Sequence, residues 1–296
     1  VLRGFIINRF RGDRRLFDGG PQFLEKHTGR PCFGVLPYIE SLRIDQEDSV
    51  ALEERRTTPG ACRVGVIRLP HIANYTDFNP LDSVPGVSVE YLPDANAGNP
   101  PDLLIIPGTK NTIADLRWLI RSGFRKMIAA ALEQGGWVLG ICGGYQMLGY
   151  RVSDPQQVEE GGTMEGLNLL PVETSLESAK ITVQSEGLSF IGSAVRGYEI
   201  HMGRTKELKP ATPFLTKDAG TTDGAVAGRV AGTYFHGLFE NADFTRAFLT
   251  KVAESRRLEW RPPQLDYSKD KEYDKLAEVA RQHLDIPGIH KLLESE

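Results

Sequence analysis

Residues 135–149 read GGWVLGICGGYQMLG, and this stretch decides how the fold is organised. A short apolar run ends at Gly140, Cys142 follows, and two glycines lead into residues 145–148, which have the composition of a first helical turn. The order predicts a strand, a sharp turn and a helix whose N-terminus points at the cysteine. Glycine suits such a turn because a Cβ would oppose its torsions, and the helix N-terminus favours a thiolate. The stretch therefore predicts a cysteine nucleophile, with the Gly143 N–H free to bind an oxyanion.

The same residues also fit a structural interpretation. A free cysteine is often a small buried apolar residue without chemical function, and Gly-x-Cys-x-Gly occurs in ordinary tight turns. A second functional residue elsewhere in the chain is needed to separate the two interpretations.

Size, composition and charge limit the classes of protein to which this chain can belong. The chain has 296 residues, enough for one large or two ordinary domains, with 40% hydrophobic and 25% charged residues. Its apolar runs are too short to cross a bilayer. A net charge of −4 gives no reason to expect nucleic acid or an anionic membrane as a partner.

The cysteine count points to a reducing compartment. Cys32, Cys62 and Cys142 are odd in number and widely spaced, so they predict neither a disulfide framework nor a metal site. We therefore expect a cytoplasmic protein. The sequence opens with Val-Leu-Arg-Gly, without a signal peptide, in what reads as a strand. We expect it to be a fragment of a longer protein.

Apolar runs alternate with amphipathic segments in the first half of the chain. The predicted strands cover residues 63–68, 88–92, 102–107 and 137–140, and the predicted helices cover residues 113–121 and 124–134. Such alternation is typical of an α/β fold with a mostly parallel sheet flanked by helices. Sites in these sheets form beyond the carboxyl ends of the strands. We therefore expect the loops at residues 74–77 and 108–111 to converge on Cys142.

A histidine in the second half of the chain supplies the missing base. After Tyr150 the pattern changes to short strands typical of an antiparallel addition, and the strand at residues 230–234 leads to His236. A cysteine nucleophile needs a base that keeps it ionised and then protonates the leaving group. A lone histidine is more often a solvated or satisfied residue, but a strand-end position near Cys142 makes His236 the candidate base.

Three segments are predicted along the chain. Residues 1–58 read as the end of an α/β domain, residues 59–255 as the main domain, and residues 256–296 as a helical extension with a charged helix at 269–284. Two strands and one helix in the first segment cannot bury a core alone. We expect that segment to depend on strands upstream or on the next domain.

Several motifs together resemble one family. They are GFIINRFRGD (4–13), FGVLPY (33–38), ANYTDFNPL (73–81), IIPGTKNT (105–112), GICGGYQMLG (140–149), GYEIHMGRT (197–205) and YFHGLFEN (234–241). Through these motifs nearly the whole chain resembles the C-terminal part of the cobyric acid synthase family, which carries a class I glutamine amidotransferase domain.

The resemblance implies a fold and an activity. It implies a flavodoxin-like class I amidotransferase domain, preceded by the C-terminal part of a P-loop domain similar to dethiobiotin synthetase. The family amidates the b, d, e and g carboxylates of adenosylcobyrinic acid a,c-diamide with ammonia from L-glutamine, using ATP and Mg²⁺. Carried onto this chain, Cys142 is the nucleophile and His236 its base, while the Gly143 N–H and one from Gly108 or Thr109 form the oxyanion hole.

Two departures from the family pattern matter. Many class I amidotransferases follow the histidine with Pro-Glu, but here His236 precedes Gly-Leu, so Glu199 or Glu240 is expected to replace that acid, or the site works as a dyad. No P-loop of the form G-x-x-x-x-G-K-[ST] occurs. We therefore expect this chain alone to bind no cofactor, and its corrinoid substrate to require the N-terminal domain.

Other functions remain open from the sequence. The acceptor can instead be that of a cobyrinic acid a,c-diamide synthase or of a lipid-linked cell-wall amidating enzyme. A non-catalytic binding module with the same fold, or a cysteine hydrolase acting on other amides, is also possible. The pairing of Cys142 with His236 argues against the binding module.

Overall fold

The computed structural model describes residues 2–39, 60–95, 98–217, 220–265 and 269–294. Its strands are β1 (Phe5–Phe10), β2 (Cys32–Pro37), β3 (Cys62–Ile67), β4 (Ile72–Ala73), β5 (Val87–Leu92), β6 (Leu103–Ile106), β7 (Gly108–Thr109), β8 (Trp137–Ile141), β9 (Arg151–Asp154), β10 (Gly162–Glu165), β11 (Val172–Ser189), β12 (Ala194–Glu207), β13 (Leu215–Lys217), β14 (Thr222–Asp223), β15 (Ala225–Ala227), β16 (Val230–Thr233) and β17 (Phe235–His236). Its α-helices are α1 (Gly20–Thr28), α2 (Thr112–Arg121), α3 (Phe124–Glu133), α4 (Gly143–Leu148), α5 (Ala242–Ser255), α6 (Lys269–His283) and α7 (Ile286–Glu294).

The chain divides into two compact units with different boundaries from those predicted. One unit comprises Val1–Asp45 with Ser268–Glu296, and the other comprises Gln46–Tyr267. The helical tail thus belongs with the first segment and does not form a separate extension. The predicted boundary at residues 58 and 59 lies outside the described residues.

The smaller unit is built on two parallel strands, β1 and β2. Its C-terminal helices pack on β2, where the Asp285 N–H donates to the Phe33 carbonyl at 2.8 Å and Gly34 pairs with Leu284. A Cβ on Gly34 would overlap the His283 carbonyl oxygen, so only glycine permits this approach. The two strands therefore gain through α6 and α7 the packing surface that they lack alone.

The larger unit contains the predicted parallel sheet. Six strands run in the order β15-β16-β8-β6-β3-β5, and all neighbours are parallel except β15 and β16. Numbered along the chain, the five parallel strands follow the 2-1-3-4-5 order of flavodoxin-like sheets. The predicted α/β fold is confirmed, and the strand order reverses between β3 and β6.

Strand alternation builds a core on each face of this sheet. On β6, Leu103 and Ile105 pack in the cluster that contains α5, whereas Leu104 and Ile106 pack in the cluster that contains α2 and α3. All four side chains are fully buried. At roughly 1.5–3 kcal/mol for each large apolar side chain, these layers fix where the carboxyl ends of the strands lie.

A second, mostly antiparallel sheet follows. It comprises seven strands, with the path β10-β9-β11-β12-β17 and with β13 and β14 attached at β11. Its centre is the long hairpin of β11 and β12, which extends the predicted short strands into one ladder. Strand β17 pairs with β12 directly after β16 has paired in the parallel sheet, so the chain changes sheets immediately before His236.

Candidate active site

Cys142 occupies a strained turn between β8 and α4. Its φ of 52° and ψ of −111° are uncommon for a residue with a Cβ. Such strain persists where the surrounding structure enforces it, and it concentrates at functional sites. Glycines enforce it here, because a Cβ on Gly140 would lie 2.6 Å from the Gly144 carbonyl oxygen and one on Gly144 would overlap the Ile106 carbonyl. The structure therefore contains the elbow that the sequence predicted.

The sulfur atom is held by backbone groups from two other strands. The Cys142 N–H donates to the Thr233 carbonyl at 2.8 Å, and in the thiol form Sγ donates to the Ile200 carbonyl at 3.4 Å. The residue is half-buried. The nucleophile is thus fixed at its backbone and still reachable.

Helix α4 is anchored by a buried amide one turn after the cysteine. The Gln146 Oε1 accepts from Thr112 Oγ1 at 3.0 Å, and its Nε2 donates to the Tyr234 hydroxyl at 3.2 Å. These bonds satisfy a buried polar side chain and tie the elbow to α2 and to the end of β16.

His236 has a carboxylate partner that the sequence did not assign. Its Nδ1 lies 2.6 Å from Oδ2 of Asp77, whose Oδ1 accepts from the Gly237 N–H at 3.2 Å. The imidazole is 1% exposed and the carboxylate is buried. Asp77 lies in a 3₁₀ helix (Tyr75–Ser83) in the loop after β3, one of the loops predicted to converge on Cys142.

A second side chain from this loop lies against the ring. Asn74 places its Nδ2 3.2 Å from Nδ1 and 3.4 Å from Nε2 of His236. Its φ of 52° is in the left-handed region, which asparagine tolerates better than most residues. This conformation turns the loop so that Asn74 and Asp77 reach the same imidazole.

The surroundings of His236 favour its protonated form. Burial alone would lower the pKa of His236, but the hydrogen bond and charge of Asp77, together with a hydrogen bond to Cys142, raise it to about 10. At neutral pH the ring is therefore an imidazolium, whose Nδ1–H donates to Asp77. An imidazolium beside the sulfur stabilises a thiolate and can protonate a leaving group.

The three residues predicted for the oxyanion hole lie close together beside Cys142. A Cβ on Gly108 would lie 3.6 Å from the Cys142 Cβ and 3.7 Å from His236 Cε1. A Cβ on Gly143 would lie 2.7 Å from Thr109 Cγ2 and 3.2 Å from the Thr109 nitrogen. The Gly143 N–H opens helix α4 and has no intrahelical acceptor. The structure thus brings Gly108, Thr109 and Gly143 around Cys142.

Glu199 lies elsewhere. Its Oε1 accepts from Lys217 Nζ at 2.6 Å, and its Oε2 lies 3.9 Å from His201 Nε2. Burial alone would raise the pKa of Glu199, but hydrogen bonds from His201 and Lys217 lower it to about 2. Glu199, which the sequence suggested as the orienting acid, therefore forms an ion pair with Lys217, whereas Asp77 contacts His236.

The reason is strand alternation. Tyr198 pairs with His236 and Glu199 with Phe235 in the register of β12 and β17. The Tyr198 ring stacks on the His236 ring, with centroids 5.1 Å apart. Neighbouring residues on a strand face opposite sides, so Glu199 points away from the imidazole. The position of Glu199 within the GYEIHMGRT motif therefore suggested, wrongly, that its carboxylate orients His236.

Among the residues that the structure describes, no three His, Cys, Asp or Glu side chains are grouped to hold a metal ion. Within the same residues, none of the helices has the length and apolar character needed to cross a membrane.

Comparison with known proteins agrees with this geometry. The model of the CobB/CobQ-like glutamine amidotransferase domain matches residues 63–244. The cobyric acid synthase of Streptococcus sanguinis strain SK36 is 42% identical over 311 residues, covering 100% of this chain and 62% of the relative. That of Dehalococcoides mccartyi strain CBDB1 is 42% identical over 313 residues, covering 99% of this chain and 61% of the relative. The chain thus spans about three fifths of the length of these relatives.

Among solved structures, a chain from the structure of PurLQS from Thermotoga maritima is similar to this one. It aligns at 18% identity with a TM-score of 0.47, covering 66% of this chain and 97% of that chain. The matched family region contains Cys142, His236 and Asp77. From the extent of that match, the chain belongs to the family of CobB/CobQ-like glutamine amidotransferase domains.

Proposed function

We propose that this chain hydrolyses L-glutamine and supplies the ammonia to a cobyric acid synthase. The observation that carries the proposal is the strained Cys142 beside an imidazolium that is held by a buried carboxylate. Two cobyric acid synthases that match almost the whole chain at 42% identity support the choice of synthase.

The first half of the reaction forms a thioester. The Cys142 sulfur attacks the side-chain carbonyl carbon of glutamine and the carbonyl oxygen becomes an oxyanion. The Gly143 N–H and one from Gly108 or Thr109 are the proposed donors to that oxygen. The carbon–nitrogen bond then breaks, and His236 gives its Nε2 proton to the leaving ammonia, so that a γ-glutamyl thioester and neutral imidazole remain.

The second half releases glutamate. His236, now neutral, removes a proton from a water molecule as the water attacks the thioester carbon. The carbon–sulfur bond breaks and returns the Cys142 thiolate beside the imidazolium. Asp77 fixes the Nδ1–H tautomer and stabilises the ring charge in both halves, so it takes the place proposed from the sequence for Glu199.

The acceptor reaction belongs to the whole synthase. We propose that the ammonia amidates the b, d, e and g carboxylates of adenosylcobyrinic acid a,c-diamide in the cytoplasm, with ATP and Mg²⁺. The P-loop sequence does not occur in these 296 residues. No residue of this chain is therefore assigned to nucleotide or metal, and no step above passes through them.

The proposal is tested by labelling the site with a diazo-ketone analogue of glutamine and mapping the adduct by mass spectrometry. We expect one adduct, on Cys142, that excess glutamine prevents and Cys142→Ala abolishes. Cys62 is an internal control, because it is fully buried and its pKa is raised to about 12 by burial and by the charge of Asp102. Glutamate release should fall by several orders of magnitude in Cys142→Ala.

Two outcomes would contradict the proposal. Labelling that glutamine does not prevent would indicate a reactive thiol without a glutamine site. Absence of an adduct, with Cys142 still open to iodoacetamide, would favour the non-catalytic binding module.

A further inference from the structure

The GYEIHMGRT motif has no role in the chemistry described so far, yet its strand touches both reacting residues. On β12 the Ile200 carbonyl accepts from Cys142 Sγ at 3.4 Å, and the Tyr198 ring stacks on the His236 ring at an interplanar angle of 15°. The segment containing Tyr198 and Ile200 is therefore one wall of the site.

The opposite face of the same segment is held by an ion pair. The Glu199 carboxylate accepts from Lys217 Nζ at 2.6 Å, and the two side chains are 7% and 21% exposed. Lys217 ends β13, which pairs with β11 and not with β12. The ion pair thus reaches across the sheet to another strand. With His201 it lines a cavity of about 360 Å³.

The backbone ladder of β12 is regular at Glu199 but is interrupted close by. Strand β17 pairs with β12 only through Tyr198 and Glu199. On the other edge the register of β11 shifts between Leu176, which pairs with Gly203, and Ile181, which pairs with His201. Four residues of β11 therefore oppose a single residue of β12, and such bulges occur next to active sites. The Glu199 side chain therefore lies at the last regular part of the β12 ladder, where a contact to another strand adds order.

We propose that the Glu199–Lys217 ion pair is a positioning device, which fixes β12 so that its Tyr198 ring and the backbone at Ile200 stay in place against His236 and Cys142. The proposal rests on glutamine hydrolysis as the function of this site. Glu199 is then a positioning residue that touches neither substrate nor reacting atoms. A partly buried, well-aligned pair can hold a strand more firmly than an exposed one, since solvent screens it less.

Four variants test this role: Glu199→Gln, Lys217→Met, their double variant and Lys217→Arg. Lys206→Met is the matched control, because Lys206 lies on β12 with Glu199 and forms an ion pair with Glu173 at 2.6 Å in which the lysine side chain is 68% exposed. The measurements are kcat and KM for glutamine, the pH profile of kcat/KM, and the rate at which iodoacetamide alkylates Cys142. All are made well below the unfolding temperature of each variant.

We expect the Glu199 and Lys217 single variants to lose roughly 10-fold in kcat, because small displacements of reacting groups are costly. KM should stay within about twofold, since the substrate contacts remain. The pH profile should not move, because Asp77 still holds His236. The double variant should be no worse than either single variant, Lys217→Arg should retain kcat, and Lys206→Met should behave as wild type.

Several outcomes would overturn the positioning role. A shifted pH profile in Glu199→Gln would make Glu199 an electrostatic partner of the imidazole. A lower unfolding temperature with unchanged kcat would make the ion pair structural only, and additive losses in the double variant would deny the coupling. If the wild-type chain releases no glutamate, the proposed function fails. In that case the alkylation rate of Cys142 still tests the positioning role. The role requires this rate in the Glu199→Gln and Lys217→Met variants to differ several-fold from the rate in Lys206→Met.

Discussion

Replacing Asp77 by asparagine removes the charge beside His236 while keeping the shape of the side chain. The carboxylate Oδ2 lies 2.6 Å from Nδ1, and both groups are buried, so solvent cannot replace the lost interaction. The amide can still accept one hydrogen bond, but it cannot stabilise a charged ring. The variant therefore separates the electrostatic function of Asp77 from its packing.

The magnitude follows from the pKa. The rise in the pKa of His236 from 6.5 to about 10 corresponds to roughly 5 kcal/mol in favour of the imidazolium, at about 1.4 kcal/mol for each pKa unit. Burial lowers the pKa of His236, and the contacts that raise it come mainly from Asp77 and to a smaller extent from Cys142. In Asp77→Asn we expect the pKa of His236 to fall toward or below 6.5, so that the ring is largely neutral at pH 8.

Two consequences can be measured. The glutaminase kcat should fall by roughly 10²- to 10⁴-fold, the usual contribution of general acid–base catalysis. The pH dependence of Cys142 alkylation by iodoacetamide, measured from pH 5 to 10, should lose the reactive form that depends on the imidazolium. Glu199→Gln is the matched comparison, because it neutralises the acid that the sequence suggested and should leave the pH dependence unchanged.

The opposite pattern would refute this assignment. If Asp77→Asn kept the wild-type pH profile and kcat within about threefold, while Glu199→Gln moved the profile, then Glu199 would be the orienting acid. If neither variant moved the profile, the site would work as a dyad of Cys142 and His236.

The remaining predictions concern space and acid stability. A Cβ on Gly108 makes ordinary contacts of 3.5–3.7 Å, so Gly108→Ala should fold normally by circular dichroism but lose roughly 10- to 100-fold in kcat/KM, because the methyl group lies beside the Cys142 Cβ and the imidazole. Gly144→Ala should instead lose on the order of 3 kcal/mol in the free energy of unfolding, measured in urea, because its Cβ overlaps the Ile106 carbonyl; unchanged stability would contradict the strained elbow. Since the pKa of Glu199 is lowered from 4.5 to about 2, its roughly 3 kcal/mol of stabilisation should be complete above pH 4.5 and disappear as the pH falls toward 2. The stability difference between wild type and Glu199→Gln should shrink over that interval, and that between wild type and the exposed control Glu165→Gln should not.

Sequence reasoning succeeded where a local rule forces the structure. The elbow at Cys142 was predictable because Gly140 and Gly144 stand where backbone approaches backbone, and no other residue type fits there. The helices α2, α3 and α6 begin and end within one residue of the predicted positions, since helical periodicity is a local property of the sequence. The convergence of the loops after β3, β6 and β8 followed from the parallel sheet alone.

It failed where a side chain depends on distant geometry. Asp77 is 159 residues from His236, and its direction depends on the left-handed conformation of Asn74 in a loop without hydrophobic periodicity. Glu199 directly follows Tyr198, which pairs with His236, but the pleat turns Glu199 to the other face of the strand. The grouping of residues 268–296 with the first segment was equally hidden, because helical spacing on α6 shows that a face packs and not what it packs against.

The junction between the two sheets explains why the antiparallel addition is needed at all. Strand β16 ends in the parallel sheet at Thr233, and two residues later the chain pairs with β12. The buried carboxylate of Asp223 braces this crossing by accepting hydrogen bonds from the Thr233 hydroxyl and the Tyr234 N–H. His236 therefore takes its position from the second sheet, whereas Cys142 takes its position from the first. A change that shifted one sheet against the other would separate base from nucleophile without altering either residue, so the contacts that hold β12 belong to the catalytic geometry as much as the reacting side chains do.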